Sequence, residues 1–387
     1  MSDLLSISGA RIFDGHEWHE GAALLIEFGY VCSIVADEAI PANARRIVLD
    51  GGMIVPGFID LQVNGGGGVQ FNNDPSVEAV RTICAAHAQF GTTGLLPTLI
   101  TDDVETGSTA IAAGIAAQQQ RVPGFLGLHL EGPHLSPARK GAHDASLIQP
   151  MVERDLAGLI EAAQSLPLLL CTVAPEAVSN QQITKLVEAG AVISLGHSDA
   201  SWAEVNAAFA AGASMVTHLF NAMSQLTSRE PGLVGAALQS GTVSAGLIAD
   251  GIHVHPATIS AALKAKTGPG RIFLVTDAMA PLGTNASAFT LNGRTITRAD
   301  GALRLDDGTL AGADLDMISA INFMISEVGV SAEEAFRMAS LYPARAMGID
   351  DHLGHLRPQA VASFVHLSDA RQVRATWIAG EEAWRAP

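Results

Sequence analysis

Lysine and arginine are scarce in this sequence. Twenty-two of them stand against 39 Asp and Glu, giving a formal net charge of −17, and so acidic a surface argues against nucleic acid and anionic membrane as partners. An anionic substrate would have to be caught by local donors, because the overall field repels it. Cysteine is scarcer still. Cys32, Cys84 and Cys171 are odd in number and far apart, so neither a disulfide framework nor a Cys-x-x-Cys metal site follows, and buried thiols in a reducing compartment are expected. The opening "MSDLLSISGARIFDG" has no basic segment followed by an apolar run, and no later run reaches membrane-spanning length; "LPLLLCTVA" is strand-sized. A cytoplasmic protein is the expectation. Internal repeats and low-complexity tracts are missing too.

What is present is a large apolar core with many turns. Of 387 residues, 48% are hydrophobic, 16% are charged and 39 are glycine, which suits one large domain plus a small one. From residue 53 short apolar runs alternate with helix-like segments. The candidate strands are "MIVPGFIDLQV" (53–63), "TGLLPTLI" (93–100), "GFLGLHL" (124–130), "PLLLCTVAP" (167–175), "AVISLGH" (191–197), "SMVTHLF" (214–220), "VSAGLIAD" (243–250) and "RIFLVTDA" (271–278). Several lack polar alternation, as strands buried on both faces do. Between them "DPSVEAVRTICAAHAQFG" opens with Pro75 in the first turn, and "SWAEVNAAFAAG" and "SAEEAFRMA" carry Ser201/Glu204 and Ser331/Glu334 at capping-box spacing. The expected fold is an α/β, (β/α)8 TIM-type barrel over residues 53–345, with catalytic groups at the carboxyl ends of the strands; periodicity alone leaves a doubly wound open sheet as the alternative. Residues 1–52 and 346–387 read as short strands and are expected to form one small β-sandwich domain from both termini. "FTLNGRTITRADGALRLDDGTLAG" carries Asn-Gly and two Asp-Gly turns and reads as β-hairpins inserted after the eighth strand.

Acids and histidines gather at the strand ends. Glu131 ends the third run in "GLHLEGPH", His197 the fifth in "ISLGHSDA", His218 the sixth in "VTHLFNAM" and Asp277 the eighth in "LVTDAMAP". In a barrel these face one mouth, where two imidazoles and one carboxylate form a facial set suited to Zn²⁺ with a position left open for water. Any one such histidine is more often a hydrogen-bonded structural residue; four polar groups at corresponding positions are harder to dismiss. His129 lies two residues before Glu131, hence deeper in the barrel, and is read as packing or support. Lys140 and His143 in "RKGAHD", Asn221 and Arg229 in "NAMSQLTSREPGLVG", and His253 in "ADGIHVHP" follow strand ends, where binding loops belong. Arg229 suits a phosphate or carboxylate clamp, whereas His255 is read as starting the next helix. "QVNGGGG" lacks the Lys-Ser/Thr of a phosphate loop.

The order "PGFID-x-Q-x-N-G", "HLEGP…KGAH", "GHSDA", "THLFNAM", "R-x-PG", "DGIHV" and "TDA", running from about Pro56 to the "TLAG" at 309–312, resembles the N-acetylglucosamine-6-phosphate deacetylases of the amidohydrolase superfamily. The resemblance implies metal-dependent release of acetate from N-acetylglucosamine-6-phosphate. It implies one divalent metal per chain on Glu131, His197 and His218, Zn²⁺ foremost, with Fe²⁺, Co²⁺ and Mn²⁺ as alternatives, and Asp277 as catalytic acid/base. It further implies sugar-phosphate contacts from Ala142, His143, Asn221, Ala222, Arg229, His253, Leu310, Ala311 and Gly312, and a homodimer in which Arg229 reaches a neighbouring subunit's site. Relatives with His-x-His on the first strand hold a second metal; here those positions are Gln62 and Asn64, poor substitutes for imidazole, so that site is read as vacated and its amides as hydrogen-bonded fillers. The fourth strand ends "TVAPE" with no bridging Lys, which also counts against a dinuclear enzyme. His134 in "EGPH", where an aromatic residue is usual, and "SPARKG" depart from the family pattern and bear on substrate preference. The alternatives are the N-acetylgalactosamine-6-phosphate epimer, another amidohydrolase acting on N-acyl compounds, and an inactive barrel serving as a binding module.

Overall fold

Eight parallel strands follow one another around the centre of the computed structural model, which describes residues 4–387; residues 1–3 of the amino-terminal stretch lie outside the described residues. They are β1 (Phe58–Val63), β2 (Thr92–Ile100), β3 (Leu128–Glu131), β4 (Leu169–Val173), β5 (Val192–Leu195), β6 (Met215–Val216), β7 (Ser244–Ile248) and β8 (Ile272–Val275). Each is hydrogen-bonded to the next in chain order. The ring closes just past the ends of β8 and β1, where Val63 and Ala278 form a parallel bridge and Asp277 N–H donates to Gln62 O at 3.0 Å. Nearly every strand residue is buried, because helices cover the outside and side chains fill the inside. This is the expected barrel.

The helices begin where local chemistry starts them. Ser201 accepts from Glu204 N–H while Glu204 accepts in return from Ser201 N–H, and Ser331 caps its helix through Glu334 N–H. Pro75 is not in the first turn. It precedes the cap, which is Ser76 accepting from Ala79 N–H, and the helix runs Val77–Ala88.

The run 53–63 divides in two. Met53–Pro56 leaves the barrel and pairs with Phe364–Leu367 and Arg11–Phe13 in a six-stranded sheet. Gly57 makes the hinge: a Cβ there would lie 2.0 Å from Thr93 Oγ1, so no larger residue fits without moving β2. A four-stranded sheet of Leu5–Ser8, Ala22–Glu27, Tyr30–Ala36 and Arg45–Val48 accompanies it. Ile7, Leu24, Ile54, Phe364 and Trp377 are buried in one apolar cluster there, with Phe364 stacked on Trp377 at 4.8 Å. Both ends of the chain are thus built into the same layer of sheets.

After β8 come the hairpins Ala288–Leu291, Arg294–Ala299, Ala302–Arg304 and Leu310–Ala313. The two-residue turns Asn292-Gly293 and Asp300-Gly301 have positive φ at both positions (48° and 71°, 52° and 73°), the geometry that lets Asn-Gly and Asp-Gly match strand twist. The last strand returns to the barrel mouth, where Ala313 bridges Ala278. No helix among the described residues is long and apolar enough to cross a membrane.

Candidate active site

Glu131 is the final residue of β3, and His197, His218 and Asp277 each lie two residues past the end of their strand. The last three have left-handed backbones, with φ of 48°, 28° and 52°. Such conformations persist in non-glycine residues only where the surroundings enforce them, and here each turns a side chain inward over the barrel axis. Gly312 completes the turn around Asp277: its φ is +67°, and a Cβ would come within 2.5 Å of Met279 and 2.9 Å of Asp277 O.

Three ligand atoms converge. His197 Nε2 and His218 Nε2 each lie 3.1 Å from Glu131 Oε1 and 3.1 Å from one another. His197 Nδ1–H donates to Arg139 O at 2.8 Å, which turns Nε2 toward the cluster as the ring nitrogen able to bind a metal. Lone pairs at that spacing repel unless a cation sits between them. With metal–ligand bonds of about 2.0–2.2 Å, one face of a tetrahedron has edges of about 3.3 Å, so the donor set fits a divalent metal ion in type, number and spacing. His218 Nδ1 is buried without a hydrogen-bond partner. Burial would raise the Glu131 carboxyl, but hydrogen bonds and charge from the two imidazoles outweigh it and hold the group well below its ordinary range. Burial pulls the His218 imidazole down, but the hydrogen bond and charge of Glu131 outweigh it and hold the ring above its ordinary value.

Asp277 stands beside this cluster under different influences. Burial first, then the Glu131 charge, push its carboxyl up to about 6, against His218, His253 and a hydrogen bond from Asn64. That bond runs from Asn64 Nδ2 to Asp277 Oδ1 at 2.6 Å. Gln62 Nε2 donates to both oxygens of Glu131, at 3.3 and 3.2 Å. Two neutral amides therefore orient the two carboxylates of the site.

Other histidines are held by neighbouring polar groups. His143 Nδ1 accepts from Thr101 N–H at 3.3 Å, and burial first, then the His197 charge, keep the ring well below its ordinary value. Nδ1 also meets the Thr101 hydroxyl at 2.7 Å; where it accepts from Thr101, the neutral ring carries its proton on Nε2, as a donor. One ring nitrogen of His143 lies within 4.8 Å of ligand atoms from Glu131 and His197, while Nδ1 is engaged by the Thr101 N–H and hydroxyl. His253 Nδ1 lies 2.6 Å from Asp250 Oδ2, which fixes its ring. His129 is bonded to Thr98 and Thr172 below the cluster, and burial lowers it to about 4. His255 caps the helix Pro256–Ala265 by accepting from Ala257 N–H.

A cavity of about 370 Å³ opens over the cluster, within the range of small-molecule sites. Glu131, His197, His218 and Asp277 line it, as do Asn64, Ala142, His143, Asn221, Ala222, His253, Leu310, Ala311 and Gly312. Gln62 lies beneath. Arg229 and Lys140 are exposed and do not line it, and buried His134 bonds Gln149 O elsewhere. Sequence reasoning missed Thr101, Asp250 and the carbonyl of Arg139. Asp250 precedes His253 by three residues, a readable signal; a backbone carbonyl leaves none.

The amidohydrolase family model matches residues 53–383. N-acetylgalactosamine-6-phosphate deacetylase of Shewanella sp. (strain ANA-3) is 42% identical over 99% of this chain and 97% of its own length. The crystal structure of N-acetylglucosamine-6-phosphate deacetylase from Pasteurella multocida matches with a TM-score of 0.94 and 35% identity, covering 98% of this chain and 99% of that one. An Asp-to-Ala variant of the Mycobacterium smegmatis enzyme, in complex with N-acetyl-D-glucosamine-6-phosphate, matches with a TM-score of 0.89 and 31% identity over 98% and 99% of the two chains. The chain is a hydrolytic enzyme and belongs to the amidohydrolase family, alongside the amino-sugar phosphate deacetylases of that family.

Proposed function

We propose that this enzyme hydrolyses the N-acetyl group of N-acetylglucosamine-6-phosphate, giving acetate and glucosamine-6-phosphate. The observation that carries the reading is the 3.1 Å triangle of Glu131, His197 and His218 with Asp277 beside it in one cavity. One divalent cation per chain, Zn²⁺ foremost with Fe²⁺, Co²⁺ and Mn²⁺ as alternatives, would be held by those three residues and would supply water acidification and carbonyl polarisation.

Asp277 takes a proton from the attacking water through Oδ2, since Asn64 holds Oδ1. As the water oxygen adds to the acetyl carbon, the carbonyl oxygen gains negative charge, and His143 Nε2–H is the donor for it. Asp277 then gives its proton to the amine nitrogen as the C–N bond breaks, so one carboxylate serves as base and then acid. Asn221, Ala222, His253, Leu310, Ala311 and Gly312 seat the sugar phosphate, whose binding energy positions the acetamide. Arg229 lies outside its own cavity; our reading is a homodimer in which it clamps the phosphate in the partner subunit. Residues 53–345 would carry the chemistry, with 1–52 and 346–387 as a supporting β domain. Gln62 and Asn64 would mark a vacated second metal site.

The epimer N-acetylgalactosamine-6-phosphate is the second reading, favoured by the name of the relative that is 42% identical. Acetate release should be measured from both phosphorylated epimers and from unphosphorylated N-acetylglucosamine. Higher kcat/KM on the glucosamine epimer supports the first reading, a preference for the other supports the second, and equal turnover of the unphosphorylated sugar removes the phosphate from the account.

A further inference from the structure

The buried carboxylate of Asp60 has no part in the chemistry described so far, yet it sits at the one seam where the barrel is closed without a continuous strand pairing. It is fully buried. Oδ1 accepts from Thr276 N–H and from Gln62 N–H, both at 3.2 Å, and Oδ2 accepts from the Thr276 hydroxyl. That hydroxyl also accepts from Ala278 N–H at 3.2 Å. Thr276 Oγ1 is therefore fixed as donor to Asp60 and acceptor from Ala278, and it brackets Asp277 on both sides. Asp277 itself holds the left-handed φ of 52° between them, with its N–H on Gln62 O at 3.0 Å.

We propose that Asp60 and Thr276 form a positioning pair that holds the Asp277 turn, aiming its carboxylate at Asn64 and the neighbouring ligand cluster. The inference rests on the reading of Asp277 as acid and base. A left-handed aspartate has no intrinsic reason to stay as it is, and three hydrogen bonds to one buried carboxylate supply the restraint. Burying a carboxylate is unfavourable unless its lone pairs are satisfied, and here every donor comes either from residues flanking Asp277 or from Gln62. The pair touches neither the ligand cluster nor the cavity; it meets the site through the backbone on either side of Asp277 and through the Gln62 N–H.

The test uses Thr276→Val, which removes the hydroxyl while keeping the branched shape, with Thr276→Ser as the conservative rescue and Asp60→Asn as a second variant. Asn at position 60 can still accept the two backbone N–H groups through its oxygen, but leaves the Thr276 proton without an acceptor. Each folded variant is assayed for acetate release and metal content, and the valine variant is crystallised. We expect Thr276→Val to lose about 10- to 100-fold in kcat, the order reached by a misplacement near 1 Å, with KM and metal content unchanged, and Asp60→Asn to move the same way. Thr276→Ser restores most of kcat, and the crystal structure of Thr276→Val shows Asp277 parted from Asn64. A purely structural role would lower thermal stability and leave kcat of the folded fraction alone. Wild-type kcat in Thr276→Val, with Asp277 still on Asn64, overturns the inference. An inert but fully metallated wild type sinks the functional reading instead, and the place of Asp277 in the variant crystal still decides this one.

Discussion

Replacing Asn64 with leucine removes the one side-chain hydrogen bond made to the Asp277 carboxylate among the described residues, the 2.6 Å contact from Nδ2 to Oδ1. The bond favours the ionised carboxylate, so its loss raises the Asp277 pKa. A hydrogen bond to a charged group contributes about 1.5–3 kcal/mol, and 1.36 kcal/mol corresponds to one pKa unit, so the rise is about 1–2 units. The base must be ionised to accept a proton, and kcat/KM therefore falls as pH drops through its pKa. Raising that pKa moves the acid limb of the profile to higher pH. From the value of about 6 set by burial and Glu131, the ionised fraction at pH 7 drops about two- to tenfold for such a shift. A bound cation lowers both pKa values, so the displacement between the two proteins is the quantity to read. Stability should change little, because Asn64 Oδ1 is buried without a partner and leucine relieves that cost. The assay is acetate release against pH for wild type and Asn64→Leu at matched metal content. Superimposable acid limbs would refute the claim that Asn64 tunes Asp277.

Gln62→Leu strips both Glu131 oxygens of their amide donor; competition with a chelator should report metal affinity about tenfold or more weaker, and unchanged affinity would count against an orienting role. Chelation should lower thermal stability as well as activity, and restoring the cation to about 100 times its Kd should return about 2.7 kcal/mol, read by calorimetry as a shift in Tm. Burial pushes the Cys84 and Cys171 thiols up to about 12, whereas Cys32 is exposed; iodoacetamide should therefore label Cys32 alone in the native protein, and mass spectrometry showing early modification of the other two would indicate an opened barrel.

The barrel was legible because strands buried on both faces write continuous apolar runs, and seven of the eight expected runs contain a single barrel strand. The exception is 53–63. Its two halves are equally buried, one in the terminal sheet and one in the barrel, so hydropathy cannot mark the change of partner at Gly57. The sixth run shrank to Met215–Val216, since His218 and Phe220 take positive φ, which tertiary contacts impose. Strand ends announced Glu131, His197, His218 and Asp277 as neighbours, because a parallel barrel sends every carboxyl end to one mouth. The proton positions were not legible. The tautomers of His143 and His197 depend on Thr101 N–H and Arg139 O, backbone groups whose residue types carry no signal. Arg229 is a loop residue facing outward, and no pattern within one chain says what it meets.

The central claim is that three residues hold one cation while Asp277 moves the proton. Its most direct test measures metal per chain and acetate release from N-acetylglucosamine-6-phosphate on the same samples of wild type and Asp277→Asn. The account predicts about one metal in each protein, as a three-ligand site implies, with turnover in the wild type and a loss of about 10²–10⁴-fold in the variant. A fully metallated wild type that releases no acetate, or an Asp277→Asn protein that turns over like wild type, would contradict it.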